Sequence, residues 1–170
     1  MSPIQPLNRP VVKVRTQLTT VPSIALALVQ VVRERTEDKV QVLYGPSTQQ
    51  PEESVIVVGL GDENTVVGFE TNQTRQQGLN RRAQETFTLH CWLSVRLGDD
   101  DDDAVQHAVE AATALLDQIA EALEDNRLRV LADTLDLGPS ISWLPVQNAQ
   151  GAACGISFDI AGTAMLAART

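Results

Sequence analysis

The stretch TFTLHCWLSVRLGDDDDDAVQHAVEAATALLDQIAEALEDN, Thr86 to Asn126, changes its period halfway and so decides the fold. Its first twelve residues alternate. Phe87, Leu89, Cys91, Leu93, Val95 and Leu97 take one face, and Thr86, Thr88, His90, Trp92, Ser94 and Arg96 take the other. Strict period-two patterning predicts a strand of about 40 Å at ~3.3 Å per residue, with a single face in the core. Beyond Gly98 the spacing becomes helical. Val105, Ala108, Val109, Ala112, Leu115, Leu116, Ile119 and Leu123 fall on one stripe of a helix predicted over about Asp101 to Glu124.

Working outward, a first helix is predicted near Thr20. Thr20 is placed to cap it and Pro22 stands in the first turn, while Ile24, Leu28, Val31 and Val32 recur at helical spacing. KVQVLY alternates and stops at Gly45-Pro46. SVIVVGL is β-branched enough to be buried on both faces. TVVGFET follows the turn signal GDEN, so Val55 to Thr71 reads as a hairpin. After Gly138-Pro139, SISWLPVQ and CGISFDIAG read as two short strands joined by NAQG. The order α-β-β-β-β-α-β-β predicts a single α+β domain over residues 1–170, a mostly antiparallel sheet with two main helices on one face. A proline-bearing N-terminal arm, about 1–10, and a long polar loop, about 72–84, lie outside that plan.

Composition narrows the function. A net charge of −9 opposes binding through phosphate neutralisation, so sequence-specific nucleic-acid recognition is not expected. Cys91 and Cys154 are too few for a disulfide framework and sit in apolar alternation, which predicts buried free thiols. The start MSPIQPLNRP carries no apolar signal segment, and IALALVQVV is too short to span a bilayer, so neither export nor a membrane is expected.

The five aspartates Asp99 to Asp103 have the chemistry for Ca²⁺ or Mg²⁺ but not the alternate spacing and glycine turn of a cation loop. They are read as the start of a helix, one carboxylate capping free N–H groups and the rest opposing the dipole. From Asp99 to Asp125 the chain holds ten acids and no Lys or Arg; Glu110, Asp117, Glu121 and Glu124 line the side away from the apolar stripe. His90 and Cys91 are adjacent, point to opposite faces of a strand and so cannot share a zinc ion. Gly59-Leu60-Gly61 is a turn rather than a dinucleotide loop, and no nucleophile elbow or phosphate loop is present. No metal, cofactor or catalytic residue is therefore assigned, although Ser, His and Asp residues distant in sequence can converge in space. The tract Asn72 to Gln84 carries Arg75, Arg81 and Arg82 without an acid. A basic loop and an acidic helix on one chain supply the charges for head-to-tail contacts that close a ring.

Two segments carry a family resemblance: VLYGPSTQQPEESVIVVG, and RRAQETFTLHCWLSVRLGDDDDD running into the Ala-rich helix, with GISFDIAGTAML closing the chain. Together they resemble the tail terminator (tail completion, minor tail) proteins of long-tailed bacteriophages, over roughly residues 12 to 166. The resemblance implies a non-enzymatic virion protein, made in the bacterial cytoplasm. It implies a subunit that forms a ring, usually a hexamer, on the end of the tail tube, stops the tube growing and presents a surface to the head connector. Its implied partners are copies of itself, the tube protein and the connector or head-closure protein. Arg75, Arg81, Arg82, Glu110, Asp117, Glu121 and Glu124 are the candidate interface residues. Head-closure and adaptor subunits of the same neck are the neighbouring alternatives; a small enzyme or ligand-binding module is the alternative of another class.

Overall fold

The computed structural model describes residues 18–47, 53–60, 68–75, 83–98 and 103–166. Its elements are α1 (Val21–Arg35), β1 (Val40–Tyr44), β2 (Ser54–Val58), β3 (Phe69–Arg75), β4 (Ala83–Leu97), α2 (Ala104–Leu123), α3 (Asn126–Arg129), β5 (Thr134–Asn148) and β6 (Gly151–Leu166). This is the predicted α+β order with one short helix, α3, added. The six strands form one sheet ordered β1-β2-β4-β6-β5, with β3 also paired to β4. Every pairing is antiparallel except β1 with β2.

β4 is the spine, and its alternation works as predicted. Phe87, Leu89, Cys91, Leu93 and Val95 are buried on the helix side, where they meet Ile156, Phe158 and Ile160 of β6. α2 closes that side with Ala108, Ala112, Leu115, Leu116, Ile119 and Leu123, and α1 with Ile24, Leu28, Val31 and Val32. Each fully buried Leu or Ile contributes about 1.5–3 kcal/mol from apolar surface removed from water. The run Val55 to Val58 is buried on both faces, as its lack of polar alternation predicts: Ile56 and Val58 join the helix-side core, while Val57 lies opposite Trp92 on the other face.

Several boundaries and pairings depart from the sequence reading. Among the described residues β2 and β3 do not pair with each other as a hairpin; both pair with β4, β2 along Cys91–Val95 and β3 along Ala83–Leu89. The handover occurs at His90, whose carbonyl accepts from the N–H groups of Gly59 and Leu60 and whose N–H donates to Gly68. Gly59 has φ +88, and a Cβ on Gly68 would run into the Gly59 carbonyl. The two strands can follow one another along one edge of β4 only because neither residue has a side chain there. Gly68→Ala is therefore expected to cost about 2–4 kcal/mol, since backbone must move, read as a lower urea midpoint at unchanged slope.

The polar tract from Asn72 to Gln84 is not all loop: residues to Arg75 belong to β3 and residues from Ala83 to β4. Long polar side chains hid these ends because β3 is an exposed edge strand, with Thr71, Asn72, Gln73 and Thr74 in solvent. β5 likewise starts at Thr134 and passes through Gly138-Pro139 instead of beginning after it. The register slips between Leu137 and Ile141, so a bulge absorbs the proline without ending the strand. The arm at 1–10, the turn at 61–64, Arg81, Arg82 and Asp99 to Asp102 lie outside the described residues.

Candidate functional site

The start of α1 is fixed from a distance. Thr20 occupies the N-cap position, but its side chain accepts no capping hydrogen bond. Instead the Thr20 N–H (2.8 Å) and hydroxyl (2.7 Å) donate to one oxygen of Glu85, while the hydroxyls of Thr19 and Thr71 (2.7 Å) donate to the other. Glu85 stands on β4 with no exposed surface. Burial pushes its carboxyl up, but the donors from Thr19, Thr20 and Thr71 outweigh it and hold the group below the usual carboxylate range. One buried carboxylate thus caps α1 and pins β3 to β4.

The acidic side of α2 is as predicted in part. Glu110, Asp117, Glu121 and Glu124 are all exposed. Glu124, however, is an ion-pair partner of Arg129 on α3, a helix that the sequence reading left out. α3 neutralises that end of α2 further. Arg127 binds Asp125 (3.0 Å) and Glu34 of α1 (2.7 Å), and Arg35 of α1 also reaches Asp125 (3.1 Å). Hydrogen bonds from Arg127, then from Arg35, hold the Asp125 carboxyl well below its ordinary range. Glu110, Asp117 and Glu121 remain as the solvated acidic face, with Gln106 donating to Glu110 at 2.8 Å. Asp103 takes the N-cap position of α2, yet its side chain accepts no capping bond; its carbonyl accepts from His107 N–H. Arg75 pairs through its backbone with Ala83 at the end of β3, in the sheet layer and not on the helix layer with the α2 acids.

Among the described residues no helix or strand covers the sheet face away from the helices, which carries two clefts. In the first, His90 and Asp159 face each other across β4 and β6, with Nδ1 2.6 Å from Oδ1. Asp159 thereby engages Nδ1 and leaves Nε2 as the second ring nitrogen. Nε2 is buried without a hydrogen-bond partner, 3.7 Å from a Glu70 oxygen. Ser140, Ser142 and Ser157 line the same cleft of about 190 Å³. A nucleophilic triad needs a hydroxyl within about 2.6–3.2 Å of that nitrogen, and no serine is bonded to it. The pairing is invisible in sequence because its members are 69 residues apart. Burial raises both thiols, Cys91 to about 12 and Cys154 above its ordinary value, so neither is a ready nucleophile. Among the described residues no cluster of three or more His, Cys, Asp or Glu is placed to hold a metal ion.

The second cleft, about 260 Å³, lies at the tip of the β5–β6 hairpin between Trp92, Arg96, Leu144, Val146 and Ala153. Trp92 lies against Gly155, where a Cβ would strike the indole. The 22 residues between Asp136 and Asp159 include no charge at all. β6 is buried along this stretch but β5 is not: Ser142 to Asn148 is exposed throughout, with Trp143 at 45%, Leu144 at 58% and Val146 at 40%. Trp143 opposes the core residue Ile156 and Leu144 opposes Gly155, so the hairpin shows apolar side chains on both faces. No described helix is long and apolar enough to cross a membrane. Compared with protein-family models and with curated proteins, the chain matches none.

Proposed function

We propose that this chain is a structural virion protein, a tail terminator that assembles as a hexameric ring on the end of a long-tailed phage's tail tube. There it halts tube growth and offers a surface to the head connector. Beside the resemblance of the β1-β2 and β4-α2 segments, one observation carries the reading: among the described residues the sheet is covered by helices on one side only, and the exposed half of β5 is apolar and carries no charge of its own. Charge-depleted apolar surface is the composition of an interface core. The carboxylates of Glu110, Asp117 and Glu121 fit a wall past which DNA slides, because like charges oppose adhesion.

Mixing the purified protein with growing tail tubes is expected to give tubes of fixed length with a ring of density at one end, in negative stain. Tubes that lengthen unchecked beside free monomers would refute the reading. Binding to head connectors without effect on tubes would move the protein to the head-closure side of the neck.

A second reading, hydrolysis, is favoured by the His90–Asp159 pair with serines in one cleft. It requires turnover of an activated ester that His90→Ala abolishes. Tube capping that survives His90→Ala, with no turnover by either protein, excludes it.

A further inference from the structure

We infer that the charge-free end of the β5–β6 hairpin docks on the β1 end of a second copy's sheet, so that subunits join head to tail. The inference rests on the terminator reading for its partner and adds the surfaces through which copies meet.

The hairpin itself carries no cation between Asp136 and Asp159, and the tip cleft is lined by a single one, Arg96 of β4, too little positive charge to hold a polyanion by counterion release. It suits protein surface. Ser140 to Asn148 spans about 30 Å at ~3.3 Å per residue. Exposed on two faces, a strand of that length supplies a large share of the roughly 800 Å² per partner that a stable contact buries.

The contact is made by side chains, because both free sheet edges are poor at adding a strand. Asn148 and Gly151 flank the two-residue turn Ala149-Gln150, which makes them a mutually bonded pair. Counting back by twos, Pro145 falls where the backbone faces away from β6. The free edge of β5 therefore lacks an N–H in the middle of its exposed half. At the opposite end of the sheet, Arg33 donates from Nε (3.0 Å) and Nη2 (2.7 Å) to the carbonyl of Val42, which occupies the edge of β1. Charge and proline at edges are the usual means of preventing open-ended strand pairing.

The β1 end nonetheless shows apolar groups. Tyr44 is 44% exposed, with its ring tilted against that of Phe69 of β3 at 5.7 Å between centroids, and Leu26 is 52% exposed on α1, the helix packed on β1. The hairpin and Tyr44 of β1 lie at opposite ends of the order β1-β2-β4-β6-β5. A contact between two different patches on opposite sides of a subunit is heterologous, and it either closes into a ring or runs on as a filament. A hairpin-to-hairpin contact would be isologous and would stop at two copies.

The test is oxidative cross-linking of protein assembled on tail tubes, with Cys91 and Cys154 buried and silent. A chain carrying both Leu144→Cys and Tyr44→Cys is expected to give a ladder of covalent multimers that ends at the ring number, while each single variant gives none. Val146→Cys with Tyr44→Cys repeats the test should Leu144→Cys fold poorly by circular dichroism. Dimers from Leu144→Cys alone would overturn the inference in favour of an isologous contact. Capped tubes with no cross-link from either pair would also overturn it, leaving the terminator reading intact. Wild-type protein that stays monomeric with tubes present would sink both.

Discussion

Glutamate in place of Leu144 is expected to weaken tube capping while leaving the subunit folded. Leu144 is 58% exposed in the isolated chain, so a charge there costs the monomer little, within about 0.5 kcal/mol. In an assembled contact the same carboxylate leaves water in a patch whose hairpin has no cation between Asp136 and Asp159 and whose cleft holds one, Arg96. Taking a carboxylate out of water costs several kcal/mol, of which Arg96 offsets a part, and each 1.4 kcal/mol is tenfold, so assembly should weaken by about 10- to 100-fold. Thermal unfolding and the fraction of capped tubes, measured on one preparation, separate the two effects. Normal capping by Leu144→Glu would show that the hairpin tip faces solvent in the assembly. Full loss of structure would show instead that the tip matters to the monomer.

The largest stability effect is expected at Glu85. Replacement by alanine takes the buried acceptor away from the half-buried Thr19 and Thr20 and the exposed Thr71, and removes the negative charge at the start of α1. Bonds to a charged acceptor contribute about 1.5–3 kcal/mol singly and overlap when they share one carboxylate, so the loss should be roughly 2–4 kcal/mol. That is about 5–15 °C in Tm for a domain of this size. The sign with pH follows from the lowered folded value. An unfolded glutamate titrates near ~4.3; the stabilisation is complete above that value and disappears as pH falls through the lower folded one. Wild type and Glu85→Ala should therefore converge in acid, and Glu85→Gln should sit between them with little pH dependence of its own. A constant gap from pH 7 to pH 3 would mean that packing, not the charge, accounts for the effect.

Most of the interface candidates were legible as charges, and few as contacts. Glu110, Asp117 and Glu121 are where helical spacing puts them, because a stripe of apolar residues fixes the opposite side of α2. Glu124 was legible as an exposed acid, but its partner Arg129 belongs to a four-residue helix too short for any periodic signal. His90 was readable as a strand residue facing away from the core. Its partner Asp159 depends on the register of β4 against β6, which no residue near His90 encodes.

The sequence by itself determined the order of the main strands and helices, though not α3 or the ends of β3 and β5, and which side of β4 and of α2 enters the core. Those properties are local: alternation over β4 and a 3.6-residue stripe over α2 need no knowledge of the rest of the chain. Only the tertiary structure decided that β2 and β3 share one edge of β4, that a glutamate 65 residues away caps α1, and that Arg33 occupies one edge of the sheet while the other keeps a charge-free hairpin in solvent. Each of these is a choice of partner between distant segments. It is settled by which pairing leaves buried carboxylates and backbone groups bonded, a condition on the whole fold.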